Sequence, residues 1–350
     1  MKANRITAKD IAAMAGVSRP TVSRALAGDP KIKAETARRI QAIADRLGYK
    51  VNTIARSLKS GRSDVIGCIM PDLVNPFYAN LVMELNRAVT EAGLKLSLSL
   101  SGGNRELAIE EISVFNSTMM DGIIWDISLY PDAAGLAAQF ARGVPLLLIG
   151  GSPGGLCDHV ACDDRRGGYE LTRHLLELGH REVAFIGNLS LKQLGERIEG
   201  YRQALIDNEI LPREGWMIDC PGLNRVPAAI DRWLRLSPRP TAIFCDNDNL
   251  AINMLGSLQS RGLRIPEDVS VAGFDNIPLA SQLHTPLTTV DLCTGDFADT
   301  CVALLKARID AKRAGRDWRY AGQSRLIEPR LIVRESSGPV PASRATTTRN

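Results

Sequence analysis

Little in this chain of 350 residues points to cross-links, metal binding or membrane insertion. The seven cysteines lie mostly inside apolar runs and form no C-x-x-C pair. With only four histidines as well, the pattern predicts neither a disulfide framework nor a zinc site. No apolar run reaches the roughly 18 residues of a membrane-spanning helix, and the first ten residues lack the apolar core of a signal peptide. We therefore expect a cytoplasmic protein with no membrane partner, metal or cofactor.

Motifs of catalysis are also missing. The glycine-rich segment 150–155 lacks the Lys-Ser/Thr of a phosphate-binding loop and does not have the G-x-G-x-x-G spacing. No G-x-S-x-G segment is present. These absences favour a binding function over an enzymatic one.

The charges are distributed unevenly along an otherwise ordinary globular composition. Residues 1–62 contain 14 Lys and Arg against 4 Asp and Glu, whereas the other 288 residues have a net charge of −6. A basic segment at one end of an acidic body suggests a polyanionic partner, provided that the segment is folded.

The basic segment has the pattern of three short helices. Thr7 is followed three residues later by an acid, as in a capping box, and Gly16 interrupts the first helix. Ser18 can cap a second helix, and a third amphipathic helix is predicted from Ala34 to Leu47. This order, with a glycine in the first turn, predicts a helix-turn-helix unit.

The second predicted helix presents polar side chains away from the core. They are Arg19, Thr21, Ser23 and Arg24. Such side chains donate to phosphates and base edges, and an arginine can bind guanine through two hydrogen bonds. The alternative is a helical bundle with a solvated basic face.

The segment from Thr7 to Leu26 resembles the DNA-binding head of the lactose-repressor (LacI/GalR) family, and residues 47–59 are similar to its hinge segment. The resemblance implies that Leu58 enters the minor groove between central base pairs. The chain departs from the family at Val51, where proline is usual. The implied DNA contacts are Thr7, Ser18, Arg19, Thr21, Ser23, Arg24, Asn52, Ala55, Leu58 and Lys59.

From residue 64, short apolar runs alternate with helix-sized amphipathic stretches. This alternation is typical of parallel, doubly wound sheets, and its length of about 275 residues predicts two lobes. The candidate strands are 65–70, 94–100, 122–125, 145–149, 183–186, 242–245, 269–273 and 288–291.

The body also resembles the LacI family at residues 174–181, 265–276, 285–290 and 330–336. The implied fold is a small all-α helix-turn-helix head (1–50) and a hinge (51–62), followed by a periplasmic-binding-protein-like α/β core (63–337) of two doubly wound parallel-sheet lobes. Lobe one is expected at about 63–161 and 292–320, and lobe two at about 162–291 and 321–337. Residues 338–350 are predicted to form a disordered tail.

A small-molecule site is expected between the lobes, because ligands of such folds bind beyond the carboxyl ends of strands. The chain departs from many members at Gly150 and Gly151, which should open space there. Arg197 and Asp275 follow different strands and should converge. The resemblance implies effector contacts at Phe77, Tyr78, Arg197, Asn247 and Asp275, and Asp72, in the segment after the first strand, is a further candidate.

The sequence therefore predicts a homodimeric transcription regulator, expected to be a repressor, that binds a pseudo-palindromic operator under the control of a small metabolite, with a sugar or sugar derivative favoured. One alternative is a global regulator of the same fold that is controlled by a protein partner. Another is a sugar-binding protein without a regulatory role, and an enzyme acting on a sugar or nucleotide is a third.

Overall fold

The structure is a computed structural model that describes residues 6–26, 28–49, 61–129, 139, 143–151, 155, 157–191, 194–319 and 321–341. The chain forms two compact units, with their boundary in the sequence between Ser63 and Asp64. Within the described ranges, no helix combines the length and the apolar character needed to traverse a bilayer.

The first unit consists of three helices around a small apolar core. Ile11, Val22 and Ile40, one from each helix, are fully buried there. The predicted helix-turn-helix unit is confirmed. Its helices are α1 (Ala8–Ala15), α2 (Arg19–Leu26) and α3 (Ala34–Arg46).

Local chemistry explains where α1 begins and ends. The carboxylate of Asp10 accepts hydrogen bonds from the backbone N–H of Thr7 at 2.8 Å and from its hydroxyl at 2.7 Å. Gly16 has a left-handed backbone conformation (φ 61°), which a residue without a Cβ adopts at little cost, and it ends the helix. The chain can therefore turn sharply into α2.

The second unit contains a six-stranded and a four-stranded sheet, both entirely parallel. The first has the order β11-β5-β4-β3-β1-β2 and the second β7-β6-β8-β9, while β10 and β12 form a separate antiparallel pair. The strands are β1 (Val65–Met70), β2 (Lys95–Leu100), β3 (Gly122–Asp126), β4 (Leu146–Ile149), β5 (Asp158–Cys162), β6 (Val183–Gly187), β7 (Met217–Asp219), β8 (Ala242–Cys245), β9 (Ser270–Ala272), β10 (Thr289–Asp291), β11 (Ser324–Ile327) and β12 (Arg330–Ile332).

Helices cover both faces of each sheet, so each lobe has two apolar layers. Five strands (β3, β4, β6, β8 and β9) are buried over their whole length, as expected for parallel strands between helices. The predicted pair of doubly wound lobes is confirmed. The helices are α4 (Pro76–Glu91), α5 (Arg105–Ser117), α6 (Asp164–Glu177), α7 (Leu194–Asp207), α8 (Val226–Leu234), α9 (Asp248–Gln259) and α10 (Thr294–Arg313).

Helices α6 and α7 approach each other through glycine. A β-carbon at Gly168 would collide with the carbonyl oxygen of Arg197, and one at Gly200 would collide with the carbonyl oxygen of Arg165. The two backbones are therefore in direct contact, which only glycine permits at these positions.

The chain passes between the lobes three times: after β5, before α10, and between β11 and β12. The expectation that residues 321–337 all belong to lobe two is wrong for β11. Backbone pairing joins this strand to β5, with Ser324 opposite His159 and Ile327 opposite Cys162. The third passage therefore follows Ile327 rather than residue 320.

The disordered tail expected from residue 338 is also wrong at its start. The backbone N–H of Gly338 donates to the hydroxyl of Ser270 at 3.0 Å, and the N–H of Val340 donates to the carbonyl of Leu178 at 3.1 Å. These bonds attach residues 338–340 to lobe two, whereas residues 342–350 lie outside the described residues.

Candidate functional site

Helix α2 presents the polar face that the sequence predicts. Arg19, Ser23 and Arg24 are exposed, and Thr21 is half-buried. The hydroxyl of Ser18 accepts a hydrogen bond from the backbone N–H of Thr21 at 3.3 Å and shares another with its hydroxyl at 2.8 Å. Ser18 thus stabilises the start of the helix, while the two arginines remain accessible to a partner.

The structure describes only some of the other predicted DNA contacts. The hydroxyl of Thr7 donates to Asp10, so this residue has a capping role in addition to any contact with DNA. Asn52, Ala55, Leu58 and Lys59 of the expected hinge lie outside the described residues. Their roles remain predictions.

The second unit contains a cavity of about 330 Å³ at the carboxyl ends of its strands. Lobe one contributes the start of α4, the end of β3 and the turn after β4. Lobe two contributes the first residue of α6, the first turn of α7 and the residues that follow β8 and β9. Proteins with doubly wound parallel sheets bind their ligands at this position in the fold. Its polar lining residues are Asn75, Tyr78, Asp126, Ser128, Asp164, Glu196, Arg197, Asp246, Asn247, Asp275 and Thr294.

Arg197 is held from several sides in this cavity. Its Nη1 donates to the carbonyl oxygen of Asp246 at 2.6 Å, and its guanidinium carbon lies 3.9 Å from the centre of the Phe274 ring. Nε is 3.3 Å from Asp164 Oδ2, and Nη2 is 3.8 Å from Asp275 Oδ1. Burial disfavours the charged guanidinium and by itself would lower the pKa of Arg197. The nearby carboxylates together have the larger, opposite effect, so the pKa of Arg197 is raised.

Asp275 combines burial with an unusual backbone conformation. Its φ is 111°, a region that residues other than glycine rarely adopt. Burial raises the pKa of its carboxyl well above the usual value, although Arg197 opposes this shift. Strain and desolvation at one ligand-lining residue are typical of functional positions.

Several carboxylates of the cavity are absent from the sequence-based set of effector contacts: Asp126, Asp164, Glu196 and Asp246. Burial raises the pKa of Asp126 and of Asp246 to about 6. Burial also raises the pKa of Asp164 and of Glu196. A signal was present for Asp126 and Asp246, because each directly follows a predicted strand.

The turn after β4 brings backbone close to the cavity. Gly150 and Gly151 both have positive φ, at 66° and 63°. A β-carbon at Gly150 would collide with the hydroxyl of Ser128, and one at Gly151 would lie 3.3 Å from the side chain of Ile127. The two glycines therefore reflect a tight turn as well as the open space that we expected.

Five of the six predicted effector contacts line the cavity, and Arg197 and Asp275 converge as expected. The exception is Asp72, which is not part of the lining. Its carboxylate accepts hydrogen bonds from the backbone N–H groups of Val74 at 2.7 Å and Asn75 at 3.3 Å. Asp72 therefore stabilises the turn before α4, and its contact with an effector stays a prediction.

The arrangement suits a small polar ligand. Asn247 uses Oδ1 to cap α9 at the N–H of Leu250, and Phe77 and Tyr78 add aromatic surface to the lining. Among the described residues, no three His, Cys, Asp or Glu side chains are grouped so that they could hold a metal ion.

Comparison with known proteins identifies similar chains for both units. Residues 7–52 match the family described as bacterial regulatory proteins, lacI family, and residues 172–337 match a periplasmic binding protein-like domain. The HTH-type transcriptional regulator DegA of Bacillus subtilis is 31% identical over 346 residues, covering 96% of this chain and 99% of DegA. The HTH-type transcriptional repressor PurR of Photobacterium profundum is 29% identical, covering 94% of this chain and 98% of PurR. A solved complex of the transcriptional regulator CelR with cellobiose has a TM-score of 0.69 at 28% identity, covering 95% of this chain and all of that one.

Proposed function

Because the chain belongs to the LacI family of bacterial regulatory proteins, we propose that it represses transcription from a specific operator and that a small molecule in the cavity sets its operator affinity. It is a DNA-binding transcriptional regulator of the helix-turn-helix type. The observation that carries the proposal is the presence, in one chain, of an exposed basic recognition helix and a ligand cavity between two lobes.

The DNA-binding surface that we propose is centred on α2. Arg19 and Arg24 read base edges, while hydroxyl groups at Thr7, Ser18, Thr21 and Ser23 bind phosphates or bases. Two such heads in a homodimer would read the two halves of a pseudo-palindromic operator. Asn52, Ala55, Leu58 and Lys59 complete the surface as a hinge that enters the minor groove.

The effector site that we propose is the cavity, with Phe77, Tyr78, Arg197, Asn247 and Asp275 as contacts. A sugar or sugar derivative suits the aromatic surfaces beside carboxylates and an arginine, and the relative solved with cellobiose supports this class. A ligand that prefers one arrangement of the lobes shifts the population toward that arrangement, which is how it would alter operator affinity.

We also infer that the protein acts by binding rather than by catalysis, and that it works in the cytoplasm, where its DNA target is. Of the described residues that line the cavity, none is a lysine or histidine, and Arg197 is engaged with its neighbours. We propose the same domain boundaries as from the sequence, with two changes. Strand β11 belongs to lobe one, and residues 338–340 belong to lobe two.

The test uses the full chain in two steps. Selection from a random duplex library should yield a pseudo-palindrome, and fluorescence anisotropy should give an affinity about 10³-fold or more above that for random DNA. Sugars are then screened by thermal shift, where a ligand at a hundred times its Kd adds about 2.7 kcal/mol, and each hit is tested for its effect on operator binding. If the protein bound DNA but the selection enriched no sequence, the proposal of a specific operator would be contradicted. Operator binding that only a protein partner alters would favour the global regulator.

A further inference from the structure

Among the residues that the structure describes, the lining of the cavity has a strong imbalance of charge. Five carboxyl groups line it, whereas the described lining residues include a single cation, Arg197. The carboxyl groups come from both lobes: Asp126 from lobe one, and Asp164, Glu196, Asp246 and Asp275 from lobe two.

The single cation has little capacity left for an anionic ligand. Arg197 donates to the carbonyl of Asp246, lies within 4 Å of the carboxylates of Asp164 and Asp275, and stacks on Phe274. Its side chain is only 12% exposed. An anion would have to displace these carboxylates to bind the guanidinium, and it would then lie among the displaced charges.

Asp246 offers an acceptor that the protein itself does not use. The residue is 4% exposed, and its Oδ2 accepts a hydrogen bond from the backbone N–H of Asn188 at 3.0 Å. Its Oδ1 has no hydrogen-bond partner among the described residues, and the same holds for Oδ1 of Asp164. A buried acceptor without a donor costs free energy, which a donor group on a ligand would recover.

Asp126 presents a second buried acceptor group from lobe one. It is 4% exposed, and its Oδ1 accepts a hydrogen bond from the backbone N–H of Ser128 at 2.8 Å. No cation is among its hydrogen-bond partners in the described structure. A ligand between the lobes therefore meets carboxylates on both walls.

We propose that this cavity excludes anions and takes a ligand whose hydroxyl or ammonium groups donate hydrogen bonds to Asp246 and Asp126. The proposal rests on the ligand site proposed above and narrows its chemistry: neutral sugars and amino sugars fit, whereas sugar acids and sugar phosphates do not. Like charges across a poorly solvated space repel strongly, and the donors of a neutral sugar match the acceptors on both walls.

Cys162 allows a test that needs no knowledge of the natural ligand. It lines the cavity and is half-buried, whereas the other six cysteines are buried. The full-length protein is treated at pH 8 with a cationic reagent, trimethylammonioethyl methanethiosulfonate, or an anionic one, sulfonatoethyl methanethiosulfonate. In both cases the thiolate attacks the sulfenyl sulfur, a disulfide forms and methanesulfinate leaves. Mass spectrometry of peptides gives the rate at Cys162, and Cys162→Ser identifies the signal.

The test compares the rate of modification by the cationic reagent with the rate by the anionic one, and divides this ratio by the same ratio for a free small thiol. We expect the normalised ratio to be about ten or more, because a cleft lined by one sign of charge concentrates counter-ions to this extent. Burial raises the pKa of Cys162, which slows both reactions and leaves their ratio unchanged. At pH 5.5 the ratio should fall, because Asp126 and Asp246 have a pKa of about 6 and become protonated, while Arg197 stays charged.

Charge-neutral variants locate the effect. Asp246→Asn and Asp126→Asn keep an oxygen for the backbone donors of Asn188 and Ser128, and each should lower the ratio several-fold. The exposed Glu267→Gln in lobe two is the control and should leave the ratio unchanged. If the cationic-to-anionic rate ratio at Cys162 were equal to or below that of the free thiol, the exclusion of anions would be overturned. The proposal that the cavity binds a ligand would not be affected. Failure of the effector site itself is a separate outcome, because it would appear as the absence of any binding sugar in the thermal-shift screen.

Discussion

The carboxylate of Asp275 accepts a hydrogen bond from the side-chain amide of Asn75 across the two lobes, with Oδ2 and Nδ2 3.4 Å apart. Asn75 belongs to lobe one, where it caps α4, and Asp275 follows β9 in lobe two. The other carboxylate oxygen faces Arg197 at 3.8 Å. One buried acid therefore connects the charged centre of lobe two with the ligand-facing end of lobe one.

The bond from Asn75 should contribute to holding the lobes around a ligand. Asn75→Ser retains a good helix cap but cannot reach Asp275, whereas Asn75→Ala loses both functions. Since this hydrogen bond is long and a typical hydrogen bond contributes about 0.5–1.5 kcal/mol, both variants should weaken ligand binding by up to roughly tenfold in isothermal titration. Only the alanine variant should also lower the Tm. Wild-type affinity in Asn75→Ser would contradict this role.

Substitution of Asp275 should separate effector response from operator binding. Asp275→Asn suits the positive φ of 111° better than alanine does and removes the charge. Loss of a charged acceptor should cost about 1.5–3 kcal/mol of effector affinity, while operator affinity without effector stays near wild type. Titrations with and without operator check the coupling, because each ligand must change the affinity of the other by the same factor. Equal effector affinities in the two titrations of the wild type would exclude control through this cavity.

Arg24→Ala should weaken operator binding by about 1–3 kcal/mol and relax specificity at one base pair in each half-site. Arg39→Ala is the matched control, because Arg39 is equally exposed but lies on α3. Anisotropy titrations with operator, single-base variants and random DNA distinguish the two roles. An equal loss on all sequences would make Arg24 a phosphate contact.

The buried charge of Asp246 should make the protein less stable at neutral pH than an uncharged variant. Its pKa is about 6 in the folded protein and near 3.8 when exposed, so ionisation costs folded-state free energy that grows from about pH 4 to pH 6 and is complete above. Asp246→Asn should therefore be more stable than wild type by about 2–3 kcal/mol at pH 8, and this advantage should disappear toward pH 4. Thermal unfolding across this range tests the sign, with Glu267→Gln as the control. A variant less stable than wild type at pH 8 would show that Asp246 gains more from Arg197 and Asn188 than burial costs.

Strands with continuous apolar runs were predictable, and those with mixed sequences were not. All eight candidate strands are present within one or two residues at each end, because strands such as β3 and β8 are buried on both faces. The strands β5, β7, β11 and β12 were missed. Each of them is short and contains polar or charged residues, as in Asp158–Cys162 and Ser324–Ile327, so pairing with neighbouring strands rather than a local apolar run determines them.

The ligand site was predictable in position but not in charge. Arg197 and Asp275 were found through family resemblance and through the rule that ligands bind beyond strand ends. The surplus of carboxylates could not be predicted from the sequence, because the five residues are spread over about 150 positions, from Asp126 to Asp275. In addition, Asp164 is the first residue of a helix, where an acid is common for reasons unrelated to ligand binding. Only their convergence in space shows that, among the described residues, Arg197 lies close to several of them.

The backbone contact at Gly168 and Gly200 has a consequence for how such a regulator could acquire a new signal. It ties together the two helices that carry Asp164 and Arg197, so the position of this charged pair is fixed within lobe two, by this backbone contact and by the residues that follow β8 and β9. Residues of lobe one, such as those in the turn at Gly150, can therefore be exchanged without rebuilding the pair. A single methyl group added at Gly168 would do the opposite, because it leaves the identity of every ligand-facing residue unchanged but forces the backbone at Arg197 away from α6.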